Sequence, residues 1–106
     1  MEYAPGYLLD QAIGTALNQD WTYDFSDPYE AMEDWFEENG QAARVLEALI
    51  RDIDLHVATT ADAEARLAPW RGSGLRVDEI DGFLAAMRSR AVDGLSGDPE
   101  PMRPPA

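Results

Sequence analysis

The sequence predicts an all-α fold, a small single-domain bundle of four to five short helices over residues 1–92, followed by a disordered tail over 93–106. Three observations carry that expectation. Apolar residues recur at i, i+4 spacing through most of the chain, the repeat of one helix face. Asp27-Pro28 and Asn39-Gly40 bracket a segment with a start and a stop signal. The one run that alternates with period two, residues 19–26, has no second such run to pair with. A length of 106 residues gives one domain and a modest core.

The first helix is expected over residues 6–18, with Leu9, Ile13 and Leu17 on one stripe and Gly14 weakening it. Residues 19–26 then read as an extended connector, with Trp21, Tyr23 and Phe25 on one side. The second helix starts at the N-cap Asp27, takes Pro28 at its first position, and finds in Glu30 the partner of a capping box. Its wheel divides sharply: Tyr29, Ala31, Met32, Trp35 and Phe36 fall in one arc, Glu30, Glu33, Asp34, Glu37 and Glu38 in the other.

A third helix is expected from about Gln41 to Val57, burying Val45, Leu46, Leu49, Ile50 and Ile53. Thr60 is the expected cap of a short fourth helix ending near Pro69, with Ala63 and Leu67 inward. "RGSGLRV" reads as a loop. Asp78 is then the expected cap of a fifth helix that turns Ile80, Phe83, Leu84 and Met87 inward and carries Arg88 and Arg90 in its last turn. From Asp93 on, four prolines and two glycines predict disorder.

Charge is the most unusual property. The net charge is −13, which argues against nucleic acid or an anionic membrane as a partner, since both need a cationic surface. Residues 1–40 carry ten acids and no base, whereas residues 41–92 carry eight acids and seven arginines. All eight basic residues are arginine and alanine is abundant, as in a GC-rich bacterial coding bias. No segment approaches the roughly 20 apolar residues of a membrane span. The start "MEYAPGYLLDQ" lacks the basic n-region of a signal peptide. With no cysteine to form a disulfide, the expectation is a cytoplasmic protein.

The second helix holds three like-charge i, i+4 pairs, Glu30/Asp34, Glu33/Glu37 and Asp34/Glu38, each costing on the order of 0.2–0.5 kcal/mol. The third helix does the opposite, setting Glu47 at neutralising distance from Arg44 and Arg51. A solvated face that aids solubility is one reading of the uncompensated acids. Their segregation favours another, a docking surface for a cationic partner. Glu30, Glu33, Asp34, Glu37 and Glu38 would form its footprint with Asp24 at the edge, while Asp27 caps and Asp20 holds the connector. Trp35, Phe36 and Met32 read as core; one of Trp21, Tyr23 or Phe25 is a candidate interface anchor.

Enzymatic readings find little support. His56 is the one histidine and lies in the apolar arc of the third helix, a structural position. No lysine exists for a Schiff base and no glycine-rich phosphate loop is present. An EF-hand starting at Asp20 would place Phe25 where glycine is needed and Ala31 where glutamate is needed. The sequence therefore assigns no catalytic, cofactor-binding or metal-binding residue.

The order of "LLDQAIGTALNQDW", "DPYEAMEDWF", "LEALIRDID" and "DGFLAAMRSR" resembles the small bacterial immunity proteins of contact-dependent growth inhibition and related polymorphic toxin systems. Gln19-Asp20-Trp21, residues 24–36 and Asp52-Ile53-Asp54 carry the resemblance, which spans roughly residues 8–91. Ala16-Leu17 stand where members often have an aromatic pair, and "RGSGLRV" replaces a tyrosine-bearing turn. The resemblance implies a cytoplasmic antidote that binds and blocks a cognate toxin domain, often a nuclease with a basic cleft. It transfers no contact residue, because members vary their binding faces. An acidic adaptor on a basic host protein and a carboxylate-based metal-dependent enzyme are the alternatives from other classes. Oligomeric state is left open.

Overall fold

The computed structural model describes residues 2–104. Six α-helices and one 3-10 turn form it, and no strand occurs among the described residues. The helices are α1 (Tyr7–Ala16), α2 (Trp21–Asp24), α3 (Pro28–Asn39), α4 (Ala43–Thr59), α5 (Ala63–Leu67) and α6 (Val77–Leu95), with the 3-10 turn Ala68–Ser73 between α5 and α6. The long helices α4 and α6 pack along each other. On this pair α1 and α5 are laid, and α3 packs against α1.

The all-helical class holds, with more helices than expected. The connector is where the count differs. Residues 21–24 form a helical turn because the local asparagine and aspartate chemistry satisfies the backbone at once. Asn18 Oδ1 accepts the Asp20 N–H at 2.9 Å, and the Asn18 and Asp20 carbonyls accept from Trp21 and Tyr23 at 3.1 Å each. An alternating run with no partner strand has no comparable outlet for its N–H groups. Phe25, at φ −131° and ψ 146°, leaves this turn in an extended conformation.

Helix α3 follows the sequence closely. Asp27 Oδ1 accepts the Glu30 N–H at 2.9 Å and Pro28 opens the first turn. The reciprocal half of the box does not form, because the Glu30 carboxylate accepts from Ser26 Oγ instead. Met32 and Phe36 are fully buried, with Tyr29, Ala31 and Trp35 beside them. Leu46, Leu49 and Ile53 of α4 meet Ile80, Phe83, Leu84 and Met87 of α6 in the same core.

Three helix boundaries depart from expectation. Asp62, not Thr60, caps α5 by accepting the Ala65 N–H at 2.9 Å; Thr60 Oγ1 closes α4 on the His56 carbonyl at 2.7 Å. Helix α6 begins at Val77, so Asp78 lies inside it and pairs with Arg76, while Glu79 Oε1 accepts the Arg76 N–H at 2.8 Å. The same helix runs to Leu95, past the expected boundary at residue 92, so Arg88 and Arg90 stand away from its end.

Residues 98–104 form no helix or strand, yet Met102 is buried against the core. The expected tail is thus irregular but not detached. Its residues 105–106, with Met1 at the other end, lie outside the described residues.

Candidate interaction surface

Helix α3 turns its polar face outward and keeps Glu30, Asp34, Glu37 and Glu38 exposed. Asp24, in the last turn of α2, is exposed alongside them. Two clefts meet on this face. One, of about 420 Å³, lies between α3 and the segment after α6, and includes Glu30, Asp34 and Glu37. The other, of about 120 Å³, lies between α3 and the α1–α2 corner, and includes Asp24, Asp34 and Glu38. Phe25 and Asp34 line both, so the carboxylates border two adjacent clefts that share the half-buried Phe25.

Glu33 is the exception, and it corrects the expected footprint. Its carboxylate accepts from Arg90 Nε at 2.8 Å and Nη2 at 3.0 Å, a two-point pair between α3 and α6. It also accepts the Met102 N–H at 2.7 Å, and its side chain is only 13% exposed. On the helix Glu33 sits one turn from both Tyr29 and Phe36, at the border of the buried face. The Arg90 guanidinium lies over the Phe36 ring at 4.9 Å from its centroid, adding a cation–π contact. Glu33 is therefore a structural acid.

The remaining carboxylates are not neutralised. Among the described residues, no arginine or histidine comes within ion-pairing distance of Asp24, Glu30, Asp34, Glu37 or Glu38. Six of the eight arginines are engaged by other acids: Asp52, Asp81, Asp78, Asp54, Glu33 and Glu100. The neutralising pairs expected around Glu47 do not form. Arg51 turns instead to Asp52, at 2.8 Å, and to the Ala4 carbonyl. The reason is that Asp52 is buried, and a buried carboxyl group needs hydrogen-bond donors.

The aromatic residues of the connector separate into different roles. Trp21 donates its Nε1–H to the Ser73 carbonyl at 2.7 Å and packs its ring on Gly74, whose φ of 89° turns the chain there. It is a structural pin. Phe25 is half-buried, whereas Tyr23 is 85% exposed and stands beside Asp24. Of the three, Tyr23 is the side chain free to anchor a partner. Asp27 caps as expected, while Asp20 holds the corner through its backbone groups.

His56 is partly buried, with Nε2 at 2.8 Å from the Arg66 carbonyl and its ring edge-on to Trp70. Trp70 in turn donates to Asp10 at 3.0 Å. Burial pushes the Tyr29 hydroxyl above its ordinary pKa, with the charges of Glu79 and Asp27 adding to it. The Arg88 hydrogen bond holds Asp54 below the usual carboxylate range, and Arg66 does the same for Asp81. Among the described residues, no group of three or more histidine, aspartate or glutamate side chains is placed to hold a metal ion. No helix of the described residues is long and apolar enough to cross a membrane.

Sequence reasoning missed Asp52, Arg90 and Met102. Asp52 and Arg90 each left a signal: a charged residue set among the inward positions of an amphipathic helix, next to Ile53 and Ala91 respectively. Comparison with protein-family models, with curated proteins and with solved structures finds no match for this chain.

Proposed function

We propose that this chain is an immunity protein, which acts in the cytoplasm by binding and blocking a cognate cationic toxin domain, of the nuclease kind with a basic cleft. The observation that supports it is the set of five exposed carboxylates, Asp24, Glu30, Asp34, Glu37 and Glu38, with no ion-pairing partner among the described residues, in a protein that spends six arginines on other acids. A face of this kind suits a site built for phosphates. It would steer encounter and raise association rates from roughly 10⁵–10⁶ toward 10⁸–10⁹ per molar per second at low salt. Tyr23, exposed and next in sequence to Asp24, would supply an aromatic contact. Together with the acidic face it can contribute to an interface of the usual total area, about 1,600 Å².

The test is affinity capture from the native strain, followed by assay of the captured protein alone and at equimolar ratio with this chain. A captured enzyme whose toxic activity disappears at one-to-one stoichiometry supports the proposal. The triple variant E30K/D34K/E37K should then lose most of the affinity while keeping the fold. Capture of a basic host protein with no toxic activity would favour the acidic-adaptor reading instead.

A further inference from the structure

We propose that the segment Pro99–Pro104 is a displaceable strap that competes with a cationic partner for the acidic groove beside α3, an inference that rests on the reading above. After α6 the chain reverses at Gly97, whose φ of 87° is one that residues with a side chain rarely adopt. Residues 98–104 return across the molecule to α3 without helix or strand. Pro99, Pro101 and Pro104 restrict the backbone and lower the entropy lost on docking.

One side chain holds the strap. Met102 is 7% exposed and its N–H donates to Glu33, whereas the other residues of 98–104 are exposed. An element fixed by one buried side chain and one hydrogen bond belongs to the least stable part of a fold, the part that opens first. Arg103 follows Met102 and lines the cleft that holds Glu30, Asp34 and Glu37. Its nearest acid is Glu100 of the strap itself, at 3.9 Å, so α3 does not lock it. The strap thus places a guanidinium, the kind of charge attributed to the partner, directly after its buried apolar side chain.

The position of the strap says what lifting it would do. Pro101, Met102 and Arg103 line two clefts, one of about 420 Å³ toward α3 and one of about 300 Å³ toward α6. Glu33 borders the first and Arg90 the second. With the strap raised, the two become one groove floored by the Glu33–Arg90 pair, and the full acidic edge of α3 is open to a second chain.

The experiment uses the full-length ¹⁵N-labelled chain, a nona-arginine peptide as the cationic probe, and the variant M102S. Amide exchange of Leu49 and Ile53 in α4 reports whether the variant is folded. The Met102 amide should be protected in the wild type and lose protection as peptide is added. If the strap is closed about nine-tenths of the time, M102S should bind the peptide about tenfold more tightly. Equal affinity for both proteins, with the Met102 amide still protected in the peptide complex, would make the strap a fixed structural element and leave the acidic-face reading standing. Absence of salt-sensitive peptide binding to either protein would overturn both.

Discussion

Asp52 of α4 caps α1 from 44 residues away: its Oδ2 accepts the Leu8 N–H at 3.0 Å. The Leu9 N–H reaches the same oxygen at 3.3 Å, and Arg51 binds the other oxygen through Nε and Nη2. Helix α1 has no capping side chain of its own, since Gly6 occupies its N-cap. The carboxylate therefore supplies both the hydrogen bonds and the negative charge that a helix N-terminus needs.

Replacing Asp52 by alanine leaves two buried donors without a partner. D52A is expected to cost about 2–3 kcal/mol, the usual penalty for such groups. Urea denaturation should show a lower midpoint at an unchanged slope, and amide exchange should accelerate first at Leu8 and Leu9.

The Glu33–Arg90 pair is almost wholly buried, with side chains 13% and 7% exposed. Removing either partner alone, in E33A or R90A, strands a charge and is expected to cost about 3–5 kcal/mol. The double replacement E33L/R90M should recover much of that loss, because two apolar side chains remove the stranded charge as well as the pair. Midpoints for wild type, E33A, R90A and E33A/R90A form a cycle that isolates the coupling.

Acid sensitivity follows from Asp54 and Asp81. Both are held below the ordinary carboxylate value in the folded state by Arg88 and Arg66. Their contribution is complete above the unfolded value of about 4 and fades as pH falls through the lower folded value. D54N/D81N should therefore be less stable than wild type near neutrality and converge with it as pH falls through the lowered folded values. Thermal melts at several pH values read this directly.

On the acidic face the expected change has the opposite sign. Asp34 lies four residues from both Glu30 and Glu38, and none of the three has an ionic partner among the described residues. D34N relieves two repulsions and should raise stability by about 0.4–1 kcal/mol. A face retained for docking predicts that this more stable variant binds its partner more weakly. A gain in both would mean that the charge serves neither folding nor recognition.

Much of the scaffold could be read from local signals. Asp27, Pro28 and the apolar arc from Tyr29 to Phe36 lie within one helix, and each acts on neighbours a turn away. The inward residues of α4 and α6 follow in the same manner, from periodicity. What escaped depends on distant partners. Glu33 looks like its acidic neighbours until Arg90, 57 residues later, is brought against it. Met102 sits among prolines whose composition reads as disorder, and only the folded groove between α3 and α6 gives it a place. Tyr23 could not be told from Trp21 and Phe25 while the segment was taken as extended, because a helical turn distributes the three differently.

In the proposed complex a cationic partner grips the outward carboxylates of α3. The most direct measurement is backbone and side-chain hydrogen exchange and cross-saturation on the captured complex, resolved by residue. The expected imprint falls on Tyr23, Asp24, Glu30, Asp34, Glu37 and Glu38, together with release of the Met102 amide. An imprint centred on Arg66, Arg71 and Arg88, with those carboxylates as solvent-exposed as in the free chain, would contradict it.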